Sequence, residues 1–281
     1  MLTTVLVPTD FTADAAQVLA FAHGLPALGV RRVVLANVVE ASGMEGPVIA
    51  AKVDAVRDRL RDVAGALEAS GMRVEVRVPT GDVFDELVAL AAEMGVDAIV
   101  AGSHAKSLVD QLVAGSISER LLRDASVPSM LVRFELLRNQ ADPAELVRRF
   151  GDKVLLPTDF SLAAQHAFTM VLELPKGAVK TLYLLHVIDP ALSGEKLRRA
   201  EEGAEFQLRN MQAMARQEGI TAAIAIRRGD PARAVLSEID ERRVTGVITG
   251  TRGRNAVAEM LLGSVSMTVL KQASCPVMIV P

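Results

Sequence analysis

Val244-Thr-Gly-Val-Ile-Thr249 runs directly into Gly250-Thr-Arg-Gly253-Arg-Asn-Ala-Val-Ala-Glu-Met-Leu-Leu-Gly263-Ser264. Ser264-Val-Ser-Met-Thr-Val-Leu-Lys-Gln-Ala273 follows. The first run is rich in β-branched residues and predicts a strand. The last places apolar Val265, Thr268/Val269 and Leu270 near helical spacing. The order is therefore strand, glycine loop, helix. Glycine admits φ > 0 and lets a ligand approach the backbone. A helix start offers unpaired N–H groups and the positive end of the helix dipole. Together these suit a phosphate, and Arg252 and Arg254 add positive charge beside Gly253. On spacing alone a plain surface loop, with Ser264 only capping a helix, is an equally open reading.

Length and composition set the frame around this stretch. A chain of 281 residues suggests about two domains, and either half is long enough to bury its own core. A net charge of −3 speaks against a general nucleic-acid binder and leaves room for a local anion site. The single cysteine, Cys275, cannot build a disulfide framework and fits a reducing compartment. No basic or histidine neighbour in sequence activates it, so it reads as a small buried residue before Pro276. No apolar run is long enough to span a membrane and the N-terminus lacks a signal-peptide pattern, so a cytoplasmic protein is expected. Half the residues are hydrophobic but only 3% are aromatic. The core must be aliphatic, which suits parallel sheets covered by helices.

Taken in order, Thr4 to Phe11 reads as a short buried strand stopped by Pro8. A helix is predicted from Ala13 to Leu28, with Ala16, Leu19, Ala20 and Ala22/His23 on its apolar side. Arg32 to Val39 is a second strand. Ala41 to Pro47 is a loop, and Val48 to Ser70 a long helix whose Arg/Asp-rich turns form a solvated face, ended by Gly71. Arg73 to Val78 alternates charged and apolar residues, as an edge strand would. Gly81-Asp82 opens the next helix, Ala98 to Ala101 is a fourth strand, Ser116 with Glu119 a capping box, and Pro128 to Arg133 a fifth strand.

Then the chain repeats. Val154-Leu-Leu-Pro-Thr-Asp-Phe160 restates Val5-Leu-Val-Pro-Thr-Asp-Phe11, with Asp10 and Asp159 149 positions apart. Gly229-Asp230, Gly250 and Gly263-Ser264 restate Gly81-Asp82, Gly102 and Gly115-Ser116, each pair 148 apart. Ser274 to Val280 restates Ser126 to Val132. One residue is thus lost between the second and third strands of the later half, and the whole is a tandem duplication. The expected boundaries are 1–134 for the first domain, 135–151 for a linker and 152–281 for the second. In the linker, Asp142-Pro143-Ala-Glu145 predicts a short helix from Pro143 to about Phe150. Strand–helix alternation in each half implies an α/β fold, a five-stranded parallel sheet with helices on both faces and right-handed crossovers. Ligands of such sheets sit beyond the carboxyl ends of the strands, where the strand order reverses. The Pro157-Thr158-Asp159 turn, the end of the second strand and the glycine loop would meet there.

These residues resemble the universal stress proteins, and the resemblance covers the chain twice. ATP-binding members carry Gly, two residues, Gly, nine residues, then Gly-Ser or Gly-Thr; Gly250, Gly253, Gly263 and Ser264 match that spacing. The Pro-Thr-Asp-Phe opening and the closing Cys-Pro-Val strand are similar too. The resemblance implies two tandem Rossmann-like domains of the adenine nucleotide alpha hydrolase-like type. It implies that Asp159, with Pro157 and Thr158, meets the ribose or adenine, and that the backbone around Val187 recognises adenine. It implies that Gly250, Arg252, Gly253 and Arg254 and the helix start Gly263, Ser264, Val265 and Ser266 hold the phosphates of ATP, with or without magnesium. Plainer readings stand beside these: Asp159 capping its helix, Val187 as core, Ser264 as a cap, His186 as structural. Gly229-Asp230-Pro231 reads as strand end, N-cap and first-turn proline, with no ligand role. The first half departs from the pattern. Ala105 stands where the middle glycine belongs, His104 and Lys106 replace the two arginines, and the first site reads as degenerate.

The leading function is an ATP-binding stress-response or signalling module. The alternatives are a slow ATPase and an interaction protein with both sites empty. There is no Walker-type Gly-Lys-Ser/Thr, no evident metal-ligand cluster and no Gly-x-Ser-x-Gly turn, so catalysis would be weak at most. The expected partners are an adenine nucleotide, the other half of the chain in a pseudo-dimer formed through the short last strands, and an unidentified protein. A homodimer is also open, and neither nucleic acid nor membrane is expected.

Overall fold

The computed structural model describes residues 1–103, 126–251 and 263–281. The chain forms two compact units, Met1–Arg148 and Arg149–Pro281. In the first, the strands are β1 (Thr4–Pro8), β2 (Arg32–Ala36), β3 (Arg73–Arg77), β4 (Ala98–Ser103) and β5 (Ser129–Arg133). They pair in parallel in the order β3-β2-β1-β4-β5. In the second, β6 (Val154–Pro157), β7 (Thr181–Ile188), β8 (Thr221–Arg228), β9 (Gly246–Gly250) and β10 (Val277–Val280) pair in parallel in the order β8-β7-β6-β9-β10. This is the expected α/β class. The inner strands are near-continuous apolar runs, such as Val154, Leu155 and Leu156, all with no exposed surface. A parallel sheet covered on both faces needs such runs.

The strand register confirms the duplication to the residue. Arg32 pairs with Arg73, and Thr181 with Thr221. The step from β2 to β7 is therefore 149 positions (Arg32 to Thr181), and from β3 to β8 it is 148 (Arg73 to Thr221). The missing residue lies between β7 and β8, as the sequence offsets require.

The described helices are α1 (Ala13–Ala22), α2 (Gly46–Glu68), α3 (Val83–Glu93), α4 (Phe134–Arg138), α5 (Ala144–Arg148), α6 (Leu162–Glu173), α7 (Gly194–Gln217), α8 (Pro231–Arg242) and α9 (Ser264–Gln272). Among the described residues, no helix is long and apolar enough to cross a membrane. The first helix is shorter than predicted. It stops at Ala22, and Leu25–Leu28 form a separate 3-10 turn around Pro26, because proline cannot sit inside an α-helix. Its buried side is Ala15, Val18, Phe21 and Ala22, not the side of Ala16, Leu19 and Ala20. The stretch is so rich in alanine that Val18 and Phe21 decide which way it faces. The helix predicted for Pro143–Phe150 is Ala144–Arg148, its first turn tied by Asp142, whose Oδ1 accepts from the Ala144 N–H at 3.0 Å. It packs, with the unpredicted α4, against α1. Phe150 instead buries itself fully in the second unit.

In the second unit the buried Glu238 of α8 lies between Arg227 of β8 and Arg242, and Arg242 lies over the Tyr183 ring at 4.6 Å. A carboxylate this deeply buried is tolerated because both its neighbours are cations. The cluster fixes α8 against β7 and β8, and with it the loop that precedes α8.

Two glycine substitutions are expected to move stability in opposite directions. A Cβ at Gly151 would lie 1.6 Å from the Ala178 carbonyl oxygen, whereas one at Gly65, within α2, meets nothing within 4 Å. Gly151→Ala should destabilise the chain by about 1–3 kcal/mol, as overpacking does. Gly65→Ala should stabilise it by about 0.5–1 kcal/mol by removing a flexible residue from a helix interior. Chemical denaturation of the full chain measures both.

Candidate functional site

The strand order of the second unit reverses between β6 and β9, so crossovers leave the sheet in opposite directions there and open a crevice at the strand ends. A cleft of about 940 Å³ occupies that place, a size that accommodates a cofactor-sized ligand. Pro157, Thr158, Asp159, Val187, Gly250, Gly263, Ser264, Val265 and Ser266, all singled out from the sequence, line it. Arg252, Gly253 and Arg254 lie outside the described residues. So do His104, Ala105, Lys106, Gly115, Ser116 and Glu119 of the first half.

One wall is the Pro-Thr-Asp turn. The Thr158 N–H donates to the Leu185 carbonyl at 2.8 Å, which docks the turn on β7. The Phe160 N–H donates to Thr158 Oγ1 at 3.0 Å, and the Ser161 N–H to Asp159 Oδ1 at 3.0 Å. Asp159 is therefore not the helix cap. Ser161 caps α6, its side chain accepting from the Ala164 N–H. The carboxylate shapes the turn two residues before the helix, as Asx side chains do. Phe160 sits at φ 62°, a conformation unusual for a non-glycine residue. The first unit repeats every part of this turn: Phe11 at φ 62°, Thr9 Oγ1 accepting from Phe11, Asp10 from Thr12, and Thr12 capping α1.

The second wall is the end of β7. Leu185 directs its carbonyl to the β6 side and Ile188 directs its own to Gly229 on the β8 side. Backbone direction alternates along a strand, so the N–H and C=O of Val187 face the β6 side. β6 has turned away by then, its last pair being Pro157 with Leu185. Val187 is half-buried rather than core, and its peptide groups edge the cleft.

The third wall is the end of β9 and the start of α9. Gly250 serves packing here. A Cβ on it would lie 2.7 Å from the Ala163 carbonyl carbon and 2.9 Å from the Ala164 nitrogen, inside the first turn of α6. Ser266, buried, donates its hydroxyl to the Gly250 carbonyl at 2.8 Å, and the Gly263 N–H donates to the Thr251 carbonyl at 2.8 Å. These bonds bring the α9 start to the strand end. The N-cap of α9 is Gly263, with no side-chain cap, and Ser264 is the first helical residue, exposed at the cleft. The reading of Ser264 as a cap is thus corrected: the cap residue is Gly263, and among the described residues no side chain caps the first-turn N–H groups.

Charge is sorted across the cleft. Asp159, Asp189 and Asp230 line its β6, β7 and β8 side. Each has one oxygen held by a nearby backbone N–H: Ser161 at 3.0 Å, Ala191 at 2.8 Å and Arg233 at 2.8 Å. The first turn of α9 carries no acid. An anion is favoured at α9 and disfavoured at the opposite side.

Sequence reasoning missed part of the lining. Gly229, Asp230 and Pro231 form the strand end, N-cap and first-turn proline expected of them, and they also line the cleft. His186 lines it too, its Nδ1 2.8 Å from the Thr158 carbonyl and its ring stacked on Phe160 with centroids 4.7 Å apart. The signal for both was position: each stands at the carboxyl end of a strand.

The model of the universal stress protein family matches residues 1–133 and again 151–281. The crystal structure of a universal stress protein from Archaeoglobus fulgidus superposes with a TM-score of 0.76 at 25% identity, covering 100% of this chain and 96% of that one. A universal stress protein of Mycolicibacterium smegmatis is 26% identical over 98% of this chain and 96% of its own length. One from Methanocaldococcus jannaschii is 29% identical over 46% of this chain and 81% of its own length.

Gly250→Ala should lower stability by about 1–3 kcal/mol by pushing the first turn of α6 off β9. Ser266→Ala should cost about 1 kcal/mol through the lost hydroxyl bond. Urea titration of the full chain, followed by circular dichroism, checks both.

Proposed function

The chain belongs to the universal stress protein family, and from that premise we propose that its second unit binds ATP and acts as a nucleotide-dependent stress-response module in the cytoplasm. The observation that carries the reading is the cleft at the strand-order reversal of that unit, with an uncapped helix start on one side and a strand edge at Val187 on the other. The base lies against the backbone of Val187, and the ribose near Pro157, Thr158 and Asp159. The triphosphate runs towards Gly250 and the first turn of α9, at Gly263, Ser264, Val265 and Ser266. By the family resemblance, Arg252, Gly253 and Arg254 are assigned to holding the phosphates. The sorting of charge favours this orientation over its reverse, since phosphates beside Asp159, Asp189 and Asp230 would meet three carboxylates. Binding needs magnesium or tolerates it; among the described residues no group of acids and histidines is arranged to hold a metal.

The protein senses nucleotide and does not turn it over quickly. Binding is stoichiometric, one ATP per chain in the second half, because Ala105 replaces the glycine of the first-half loop. Native mass spectrometry of protein taken from cells is the deciding experiment. Retained ATP supports sensing, ADP alone supports turnover, and no adduct supports an interaction protein.

Arg252→Ala with Arg254→Ala should weaken ATP binding at least about tenfold, because a charge-assisted contact to phosphate contributes about 1.5–3 kcal/mol. Gly253→Ala should weaken it by about 1 kcal/mol or more if φ is positive there. Calorimetry gives affinity and stoichiometry together. A ratio of two would overturn the asymmetry of the halves.

A further inference from the structure

We infer that His186 is a positioning residue, which holds the Thr158–Asp159 peptide in the orientation that presents Asp159 to the ligand. The inference rests on the proposed nucleotide site and adds to it a part that neither the sequence motif nor the family match assigns. Its first support is geometric. The partner of His186 Nδ1 is a backbone carbonyl, that of Thr158, at 2.8 Å. A carbonyl can only accept, so Nδ1 carries the proton and donates, and in the neutral ring Nε2 is the unprotonated nitrogen. That carbonyl belongs to the peptide joining Thr158 to Asp159. Holding its oxygen fixes the peptide plane and so the direction in which the Asp159 side chain leaves the backbone.

The second support is that this peptide needs holding. The next residue, Phe160, has φ 62°, a conformation that costs a non-glycine residue energy and persists only when its surroundings enforce it. The Asp159–Phe160 peptide is held by the Phe160 N–H bond to Thr158 Oγ1 at 3.0 Å, and relaxation of the turn would also displace the Thr158–Asp159 peptide before it. His186 opposes that displacement twice, by the bond to Thr158 and by the stack of its ring on Phe160, 4.7 Å between centroids and 27° between planes.

The third support is independent, because the first unit solves the same problem with different chemistry. Its turn has Phe11 at φ 62°. The carbonyl of Thr9, the counterpart of Thr158, accepts at 2.7 Å from the side-chain amide of Asn37. Asn37 stands 149 positions before His186, the offset of their strands. Two side chains with little in common except an N–H donor at the same reach hold the same carbonyl. The donor is the requirement, and the imidazole is one way to meet it.

The test uses the full chain, ATP with magnesium, and two variants. His186→Leu removes the donor at similar size; His186→Asn restores it in the form the first unit uses. By calorimetry, His186→Leu should bind ATP about tenfold or more weakly, as expected for loss of a bond that sets ligand geometry. His186→Asn should recover most of that loss, which a merely bulky structural role would not allow. Thermal unfolding without ligand should find both variants folded. Long-range proton–nitrogen NMR of the unmodified protein should show the His186 ring protonated at Nδ1, a reading independent of whether the leucine variant folds. Unchanged affinity in His186→Leu, no recovery in His186→Asn, or a ring protonated only at Nε2 would overturn the inference while leaving ATP binding intact. Failure of the unmodified chain to take up ATP would instead overturn the proposed function, and this inference with it.

Discussion

The missing side chain of Gly250 is the constraint on which the cleft depends. Its place is taken by the backbone of Ala163 and Ala164, so the first turn of α6 rests directly on the end of β9. The same residue pairs with Val280 of β10 and accepts the Ser266 hydroxyl from α9. Three elements from distant parts of the unit thus take their positions from one residue. Close packing of this kind transmits a shift of a few tenths of an ångström to every neighbour. Glycine at the end of a strand beside a cleft is usually explained by ligand approach. Here its first duty is to let a helix and a strand touch, and the ligand surface follows from that contact.

The turn after β6 shows the complementary device, order imposed by polar side chains at a strained backbone. Thr158, Asp159 and Ser161 each receive a different N–H, and the helix begins only after all three bonds are made. Each such bond contributes about 1 kcal/mol net, so together they offset the roughly 1–2 kcal/mol that the left-handed Phe160 costs. The sequence Pro-Thr-Asp-Phe therefore describes a mechanical part whose main purpose is to start a helix at a set angle. That explains its presence in both halves, whatever either half binds.

Much of this was legible in the sequence because it rests on local chemistry. The caps at Asp82 and Asp230, the edge character of Arg73–Arg77 and the one-residue offset between the halves all depend on neighbours in sequence or on repetition. What was misread depends on tertiary partners. The break before Pro26 was a local signal, but the need for glycine at 24 follows from the approach of α5, whose Ala144 carbonyl oxygen leaves no room there for a Cβ. Asp159 and Ser161 are both good caps by type, and only the fold decides that the serine caps while the aspartate makes the turn. Val187 reads as core because it lies with Leu184, Leu185 and Ile188 in a largely apolar strand. Its backbone is exposed only because β6 ends three residues sooner than β7. The roles of His186 and Gly229 in the cleft required knowing that several strand ends converge.

A duplicated scaffold separates what the fold demands from what a ligand demands. The two units share strand order, register, the strained phenylalanine and its capping bonds, so these belong to the fold. They differ in what faces the phenylalanine: Arg59 of α2 lies over Phe11 at 4.2 Å in the first unit, and His186 stacks on Phe160 in the second. A guanidinium laid over that ring by the long helix and an imidazole supplied by the neighbouring strand are different surroundings for the same turn. Divergence has therefore acted on side chains around a backbone that did not change, which is how one fold comes to carry different functions. Membership of the family accounts for the backbone. Any difference in what the two halves bind must be sought in the residues that differ, and those at the turn are Asn37 and Arg59 against His186.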